Sequence, residues 1–279
     1  MPELPEVETT CRSIIPYAIK QKFTKVIIRQ QQLRWPIFAG LAQVLPNQTI
    51  QHISRRAKYI LFTCTKGTLI IHLGMSGKLS VVQKNIPAAK HDHVDFILSN
   101  NYMIRYTDPR RFGSIHWTAS NPNKHRLLAN LGIEPLGKEF SGAYLFAKSK
   151  NKRTPIKSFL MNAAIVVGIG NIYANEALFF AGIMPNRAVN TIDLAEYTKL
   201  AKQVKLLLQK AIRKGGATLN YNGKSNVQDF FNIDGTPGYF FQDLMVYGRA
   251  GEVCYKCKTI LQSIRLNQRT TVFCPKCQH

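Results

Sequence analysis

With 279 residues, 45% hydrophobic and 10% aromatic content, the chain can bury one large core or two modest ones, which excludes intrinsic disorder. Its 38 Lys plus Arg against 15 Asp plus Glu give a formal net charge of +23, which favours a polyanionic partner, nucleic acid first and an anionic membrane surface second. No run approaches the roughly 18 apolar residues of a membrane span, and an acidic opening is the wrong start for a secretory signal, so a soluble intracellular protein is expected.

Leu4, Val7, Cys11, Ile14 and Ala18 recur at helical spacing behind Pro2 and Pro5, predicting an amphipathic helix from residue 3 to about 14, ending before Pro16. Glu3 and Glu6 then share a face. Between Lys25 and Trp117, short β-branched and aromatic runs begin at Lys25, Tyr59, Leu69, Val94 and Tyr102, separated by Gly and Asn turns as in a β-sandwich. Beyond Pro135 the pattern becomes helical: one helix starts at Thr154-Pro155, another spans Asn171 to Ala181, and a third runs from Leu194 to Lys214 and stops at Gly215-Gly216. A Gly- and Asn-rich stretch over 215–240 reads as a long functional loop, and the tail from Tyr247 as a separate small module. The expected class is α+β: a β-sandwich domain with an N-terminal helix over 1–135, a helical domain over 136–245, and a four-Cys module over 246–279.

Charge is unevenly placed. After Glu3, Glu6 and Glu8 no acidic residue occurs until Asp92. The three carboxylates either stabilise the positive end of the first helix or perform chemistry. A Met followed by Pro is normally excised, which would expose Pro2 as a secondary amine with a pKa far below that of lysine. It would be substantially neutral near pH 7 and able to attack an electrophilic carbon. On a sugar's anomeric carbon the product is an iminium ion that cannot lose a nitrogen proton. It therefore remains an electron sink, acidifies C2′ and lets the 3′ phosphate leave after the base. Glu3 is placed to protonate the sugar ring oxygen, and Glu6, one turn on, to orient or relay.

Cys254 and Cys257, then Cys274 and Cys277, form two Cys-x-x-Cys pairs separated by 16 residues. Four thiolates suit a closed tetrahedral Zn²⁺ site with no open position, so the metal is structural. Cys11 and Cys64 stand apart and read as buried, reduced thiols. Arg265 and Arg269 lie between the pairs, pointing to phosphate contact by the module's hairpin tip. His91 and His93 flank Asp92, a poor metal pattern without a further ligand.

The opening Pro2-Glu3-Leu4-Pro5-Glu6, Arg55 to Tyr59, His72 to Gly77, Lys90 to His93, Tyr106 to Gly113, Gly168 to Tyr173 and the four cysteines, in that order, resemble the bacterial formamidopyrimidine-DNA glycosylase family. The similarity runs along essentially the whole chain. It implies a β-sandwich, a helix-two-turns-helix domain and a zinc finger, with DNA in the cleft between the domains. It implies excision of oxidised purines, such as 8-oxoguanine and formamidopyrimidines, from damaged double-stranded DNA, followed by β,δ-elimination. Pro2 would be the Schiff-base nucleophile, Glu3 the acid, Lys58 the donor linked to β-elimination and Arg269 the residue of δ-elimination.

The resemblance further implies that Met75, Arg110 and Phe112 fill the gap left by the extruded nucleotide, and that His91 contacts phosphate. Lys152, Arg153 and Lys157, with Asn171 behind the Gly168 and Gly170 turn, are expected on the DNA backbone. The expected setting is the bacterial cytoplasm at the nucleoid, and nothing requires an oligomer. The loop after Gly216, with Tyr221, Lys224 and Asn226, is longer than the family pattern, which bears on lesion preference. Two other readings compete: an endonuclease VIII-like enzyme for oxidised pyrimidines, and a non-catalytic zinc-finger DNA binder.

Overall fold

The computed structural model describes residues 2–219, 230, 232 and 235–279. It divides into two compact units, Met1–Ala129 with Lys214–Tyr239, and Asn130–Arg213 with Phe240–His279.

In the first unit, helix α1 spans Leu4–Ala18 and buries its apolar face, Leu4, Val7, Cys11, Ile14 and Ala18. It runs past Pro16, where the sequence pattern ends it. The carbonyl that Pro16 leaves without an amide belongs to exposed Arg12, so water can satisfy it, and the last turn still closes through the Ile19 amide to the Ile15 carbonyl at 3.1 Å.

Two four-stranded antiparallel sheets follow. One has the order β1 (Phe23–Ile28), β6 (Asp92–Leu98), β7 (Tyr102–Thr107), β5 (Lys78–Gln83). The other runs β2 (Ile50–Arg56), β3 (Tyr59–Cys64), β4 (Gly67–His72), β8 (Ser114–Thr118). A short helix α2, Leu41–Val44, lies between β1 and β2. Alternation of Ile60, Phe62 and Cys64 on β3 and of Leu69 and Ile71 on β4 supplies one side of a continuous core, and Val94, Phe96, Ile104 and Tyr106 supply the other. Phe23 meets Phe62 edge-on at 6.5 Å and Phe96 at 6.0 Å. The strands that the sequence pattern does not single out, β2, β5 and β8, all lie at sheet edges. Polar residues break the apolar runs of all three, which weakens their hydrophobic signal.

The second unit is helical apart from one hairpin. Helix α3 (Gly142–Ser149) is N-capped by Ser141, whose Oγ accepts from the Tyr144 amide at 3.2 Å. Helices α4 (Ile156–Leu160), α5 (Asn171–Ala181) and α6 (Leu194–Arg213) follow. Helix α5 is buried nearly all round, from Ile172 through Phe179, and stops at Gly182, whose φ of 78° makes the left-handed cap that glycine adopts without strain. Helix α6 is one-sided, as its pattern predicts.

Strands β9 (Gln262–Leu266) and β10 (Arg269–Phe273) turn through Asn267 and Gln268, both at positive φ, and β10 packs on α5. The buried Asn175 Oδ1 accepts from the Val272 amide at 3.0 Å, and the Glu176 carboxylate accepts three successive amides, Met245, Val246 and Tyr247, at 2.8–2.9 Å. Burial raises the Glu176 carboxyl above its ordinary range against the pull of those amides. No helix among the described residues is long and apolar enough to cross a membrane.

Candidate active site and nucleic-acid interface

At the start of α1 the sequence Pro2-Glu3-Leu4-Pro5-Glu6 folds as a capping box. Glu3 is the N-cap, its side chain accepts from the Glu6 amide, and Glu6 Oε2 accepts from the Glu3 amide at 2.8 Å. Pro5 sits within the first turn, where its missing N–H costs nothing. Glu3 and Glu6 are each 2% exposed, and Pro2 is buried.

The second Glu6 oxygen, Oε1, accepts from the Ala217 amide at 2.9 Å. Gly216, at φ 83°, leaves so little room that a Cβ there would stand 3.0 Å from the Glu6 side chain. Glu6 therefore joins the amino-terminal turn to the segment that opens the expected long loop. Tyr221, Lys224 and Asn226 of that loop lie outside the described residues.

Lys58 lies in the two-residue turn between β2 and β3, beside Ala57, which takes a φ of 55°. Its charge acts on His72 at the end of β4. Burial, then Lys58 and Arg34, pull the His72 imidazole down to about 4. The ring is neutral at physiological pH, and its Nδ1 accepts the Gly74 amide at 3.0 Å, which leaves Nε2 as the protonated nitrogen. The sequence reading assigns His72 no role. Its Nδ1 partner, two residues on, becomes visible only once Gly74 is placed at φ 67°.

Met75 and Phe112 are large apolar side chains left 40% and 45% exposed. The Arg110 guanidinium sits 4.8 Å from the Phe112 ring centre. All three border a pocket of about 650 Å³ that Leu33, Arg34 and His72 also line. The first unit thus brings Met75, Arg110 and Phe112 together. His91 is half-buried and His93 buried, and His93 Nε2 is engaged with the Asp108 carbonyl at 2.8 Å. That nitrogen is therefore committed to the backbone and not to a metal.

In the second unit, Lys152 and Arg153 are exposed, with Lys152 Nζ donating to the Lys148 carbonyl at 2.7 Å. Lys157 departs from the expectation of a phosphate contact. It is 1% exposed, and its ammonium donates to Thr271 Oγ1 at 2.7 Å and the Thr270 carbonyl at 3.2 Å. Asn171 Nδ2 donates to the same Thr270 carbonyl at 3.3 Å. Both side chains hold the strand that presents Arg269, which is exposed on a pocket of about 280 Å³ bordered by Asn171, Tyr247 and Gly248. A basic run in sequence conceals this, because a lysine turned inward has the same neighbours in the chain as one turned out.

The four cysteines converge: one Sγ from each of Cys254, Cys257, Cys274 and Cys277 lies within 4.8 Å of every other. A tetrahedral zinc with bonds of about 2.3 Å needs sulfurs spaced about 3.8 Å apart, so the set fits. Hydrogen bonds from Thr259 pull the Cys257 thiol down to about 6, whereas burial pushes Cys277 up to about 12. A divalent cation resolves that mismatch by making all four thiolates favourable. The site is closed by its own four ligands and holds the metal structurally.

Comparison with known proteins agrees along the whole chain. The family models described as the formamidopyrimidine-DNA glycosylase N-terminal domain, the formamidopyrimidine-DNA glycosylase H2TH domain and a zinc finger found in FPG and IleRS match residues 1–115, 131–222 and 251–279. The formamidopyrimidine-DNA glycosylase of Marinobacter nauticus is 50% identical over 278 residues, covering 100% of both chains. A Lactococcus lactis FPG variant solved with a Fapy-dG containing DNA superimposes with a TM-score of 0.88 at 32% identity, covering 100% of each chain. The wild-type protein of that organism, solved with an oxidised-pyrimidine containing DNA, gives 0.87 at 32% identity with the same coverage.

Proposed function

Because this chain belongs to the formamidopyrimidine-DNA glycosylase family, we propose that it is a base-excision glycosylase and lyase that removes 8-oxoguanine and formamidopyrimidines from damaged double-stranded DNA. Pro2, freed of Met1, attacks C1′; the N–C1′ bond forms as the glycosidic bond breaks. Glu3 delivers a proton to the ring oxygen as the sugar opens to the iminium ion. Loss of a C2′ proton expels the 3′ phosphate, with Lys58 as the proton donor of that elimination, and a second elimination assisted by Arg269 releases the 5′ phosphate, leaving a gapped strand.

Met75, Arg110 and Phe112 occupy the space of the extruded nucleotide, offsetting part of the unstacking cost of a few kcal/mol. His91, Lys152, Arg153 and Asn171 hold phosphates, and zinc keeps the Arg269 hairpin folded. The enzyme works as a monomer in the bacterial cytoplasm, at the nucleoid.

The observation that carries this reading is the buried amino-terminal capping box, which holds residue 3 by two reciprocal bonds and ties Glu6 to Ala217. A plain helix start needs the first pair but not the second. Borohydride trapping on a duplex with 8-oxoguanine opposite cytosine tests it, comparing wild type, Pro2→Gly and Glu3→Gln. A reduced adduct mapping to Pro2 is expected. No adduct on oxidised-base or abasic duplexes, with DNA binding and zinc intact, would leave a DNA binder without the chemistry. The L. lactis complex with an oxidised pyrimidine favours a second substrate class, and the relative release of thymine glycol and 8-oxoguanine measures its share.

A further inference from the structure

Asp108 is 0% exposed and takes no part in the chemistry above. Its Oδ1 accepts from Ser76 Oγ at 2.6 Å, and its Oδ2 accepts from the Tyr106 hydroxyl at 3.0 Å and the Gly113 amide at 2.9 Å. Ser76 Oγ in turn accepts from the Arg110 amide at 3.2 Å. The residue's own backbone is fixed as well: its amide donates to the His91 carbonyl at 3.1 Å, and its carbonyl holds His93 Nε2 at 2.8 Å.

Two loops, one carrying Met75 and the other Arg110 and Phe112, thus end on one buried carboxylate. They also touch backbone to backbone. A Cβ at Gly74 would collide with the Phe112 backbone, and one at Gly113 with the Tyr106 hydroxyl. A carboxylate taken out of water is costly unless its lone pairs are filled, and here the donors that fill them come from both loops. The exposed side chains at the tips are therefore carried on a base with little freedom to splay.

We propose that Asp108 is a positioning residue for base extrusion: it locks the Met75 loop and the Arg110–Phe112 loop into one rigid wedge and so sets how efficiently a lesion is unstacked, without touching the reacting atoms. This rests on the assignment of Met75, Arg110 and Phe112 to the vacated space. A wedge assembled before it meets the duplex loses no ordering entropy on entry, and a displacement of its tip by about 1 Å is enough to cost on the order of 100-fold in rate. The proline chemistry, held by a separate set of bonds at α1, is untouched by it.

The test uses zinc-loaded full-length protein with Asp108→Asn, Ser76→Ala and Met75→Ala. Single-turnover excision on 8-oxoguanine opposite cytosine is compared with borohydride trapping on the same duplex bearing an abasic site, and a neighbouring 2-aminopurine reports unstacking. Asp108→Asn keeps the size but turns an NH₂ towards a donor. It should slow 8-oxoguanine excision roughly 10- to 100-fold and delay the 2-aminopurine signal, with abasic trapping near wild type. Ser76→Ala removes one bond to Asp108 and the acceptor of the Arg110 amide but leaves the Tyr106 and Gly113 bonds to the carboxylate, and should shift the same ratio less; it decides the matter if Asp108→Asn does not fold. Equal losses on both duplexes, or no loss on either, overturn the proposal. If Met75→Ala lowers the ratio while Asp108→Asn and Ser76→Ala do not, the wedge stands and Asp108 has no part in it. If Met75→Ala leaves the ratio unchanged, the wedge assignment itself fails, and the proposal with it.

Discussion

Glu6 is the residue at which positioning and chemistry make opposite predictions. Its carboxylate accepts two buried amides, Glu3 N at 2.8 Å and Ala217 N at 2.9 Å. Hydrogen bonds to a charged group contribute about 1.5–3 kcal/mol each, so Glu6→Ala, which strands both donors, should destabilise the first unit by about 3–6 kcal/mol. Glu6→Gln keeps one acceptor and turns an NH₂ towards the other amide, for a loss of about 1.5–3 kcal/mol. At about 2–4 °C per kcal/mol for a unit of this size, the Gln variant should melt roughly 3–12 °C lower. Trp35 and Trp117, the only two tryptophans of the chain, both lie in the first unit, so their fluorescence in a urea or thermal titration reads that unit alone. Abasic trapping measured on the same samples should fall in step with stability, because the side chain that ties down the turn carrying residue 3 is the one weakened, and its pH profile should keep the wild-type shape. A Gln variant that melts like wild type yet loses trapping by about 100-fold would refute this. Glu6 would then be moving a proton instead of holding a turn.

Three further outcomes follow from the geometry. His72 is held near 4 against an ordinary value of 6.5, so its neutral form stabilises the fold fully above pH 6.5, and that contribution is lost as the pH falls towards 4. Between pH 7 and pH 5 this amounts to about 1–2 kcal/mol for a half-buried ring, and His72→Asn, which can still accept the Gly74 amide, should reduce the fall in urea midpoint by that much; an unchanged fall would refute the assignment. Chelation of zinc, or Cys254→Ser, should unfold the β9–β10 hairpin and weaken DNA binding while leaving tryptophan fluorescence unchanged. Structural zinc contributes about 10–16 kcal/mol in comparable peptides, far more than so small a module gains from its own core. Lys157→Met should cost about 1–3 kcal/mol by stranding its hairpin acceptors, yet leave the salt dependence of duplex binding unaltered, whereas Arg153→Ala should lower the log–log slope by about 0.9; an equal change in slope for both would place Lys157 on phosphate after all.

What could be read from the sequence was whatever depends on spacing within one element. The 3.6-residue recurrence of Leu4, Val7, Cys11 and Ile14, the glycines that end α6, the β-branched centres of β1, β3, β4, β6 and β7, and the four cysteines each bring partners together through local geometry or a shared metal. Strands β2, β5 and β8 escaped because polar residues interrupt their apolar runs, as in Ile50-Gln51-His52-Ile53 of β2, so no continuous β-branched stretch marks them. The polar joints escaped for a different reason. Glu6 finds Ala217 across 211 positions, Lys157 finds Thr271 across 114, and Ser76 finds Asp108 across 32. No periodicity marks such pairs, because a carboxylate that caps, relays or latches is the same residue until its donors are in place. In the basic run around Lys157 the spacing suggested a solvated, phosphate-facing surface, and burial reversed that reading for one lysine while leaving Arg153 exposed. Function divides along the same line: reactive groups belong to short motifs that a sequence displays, whereas the residues that hold them at the right distance are chosen by the fold, and only their donors and acceptors identify them.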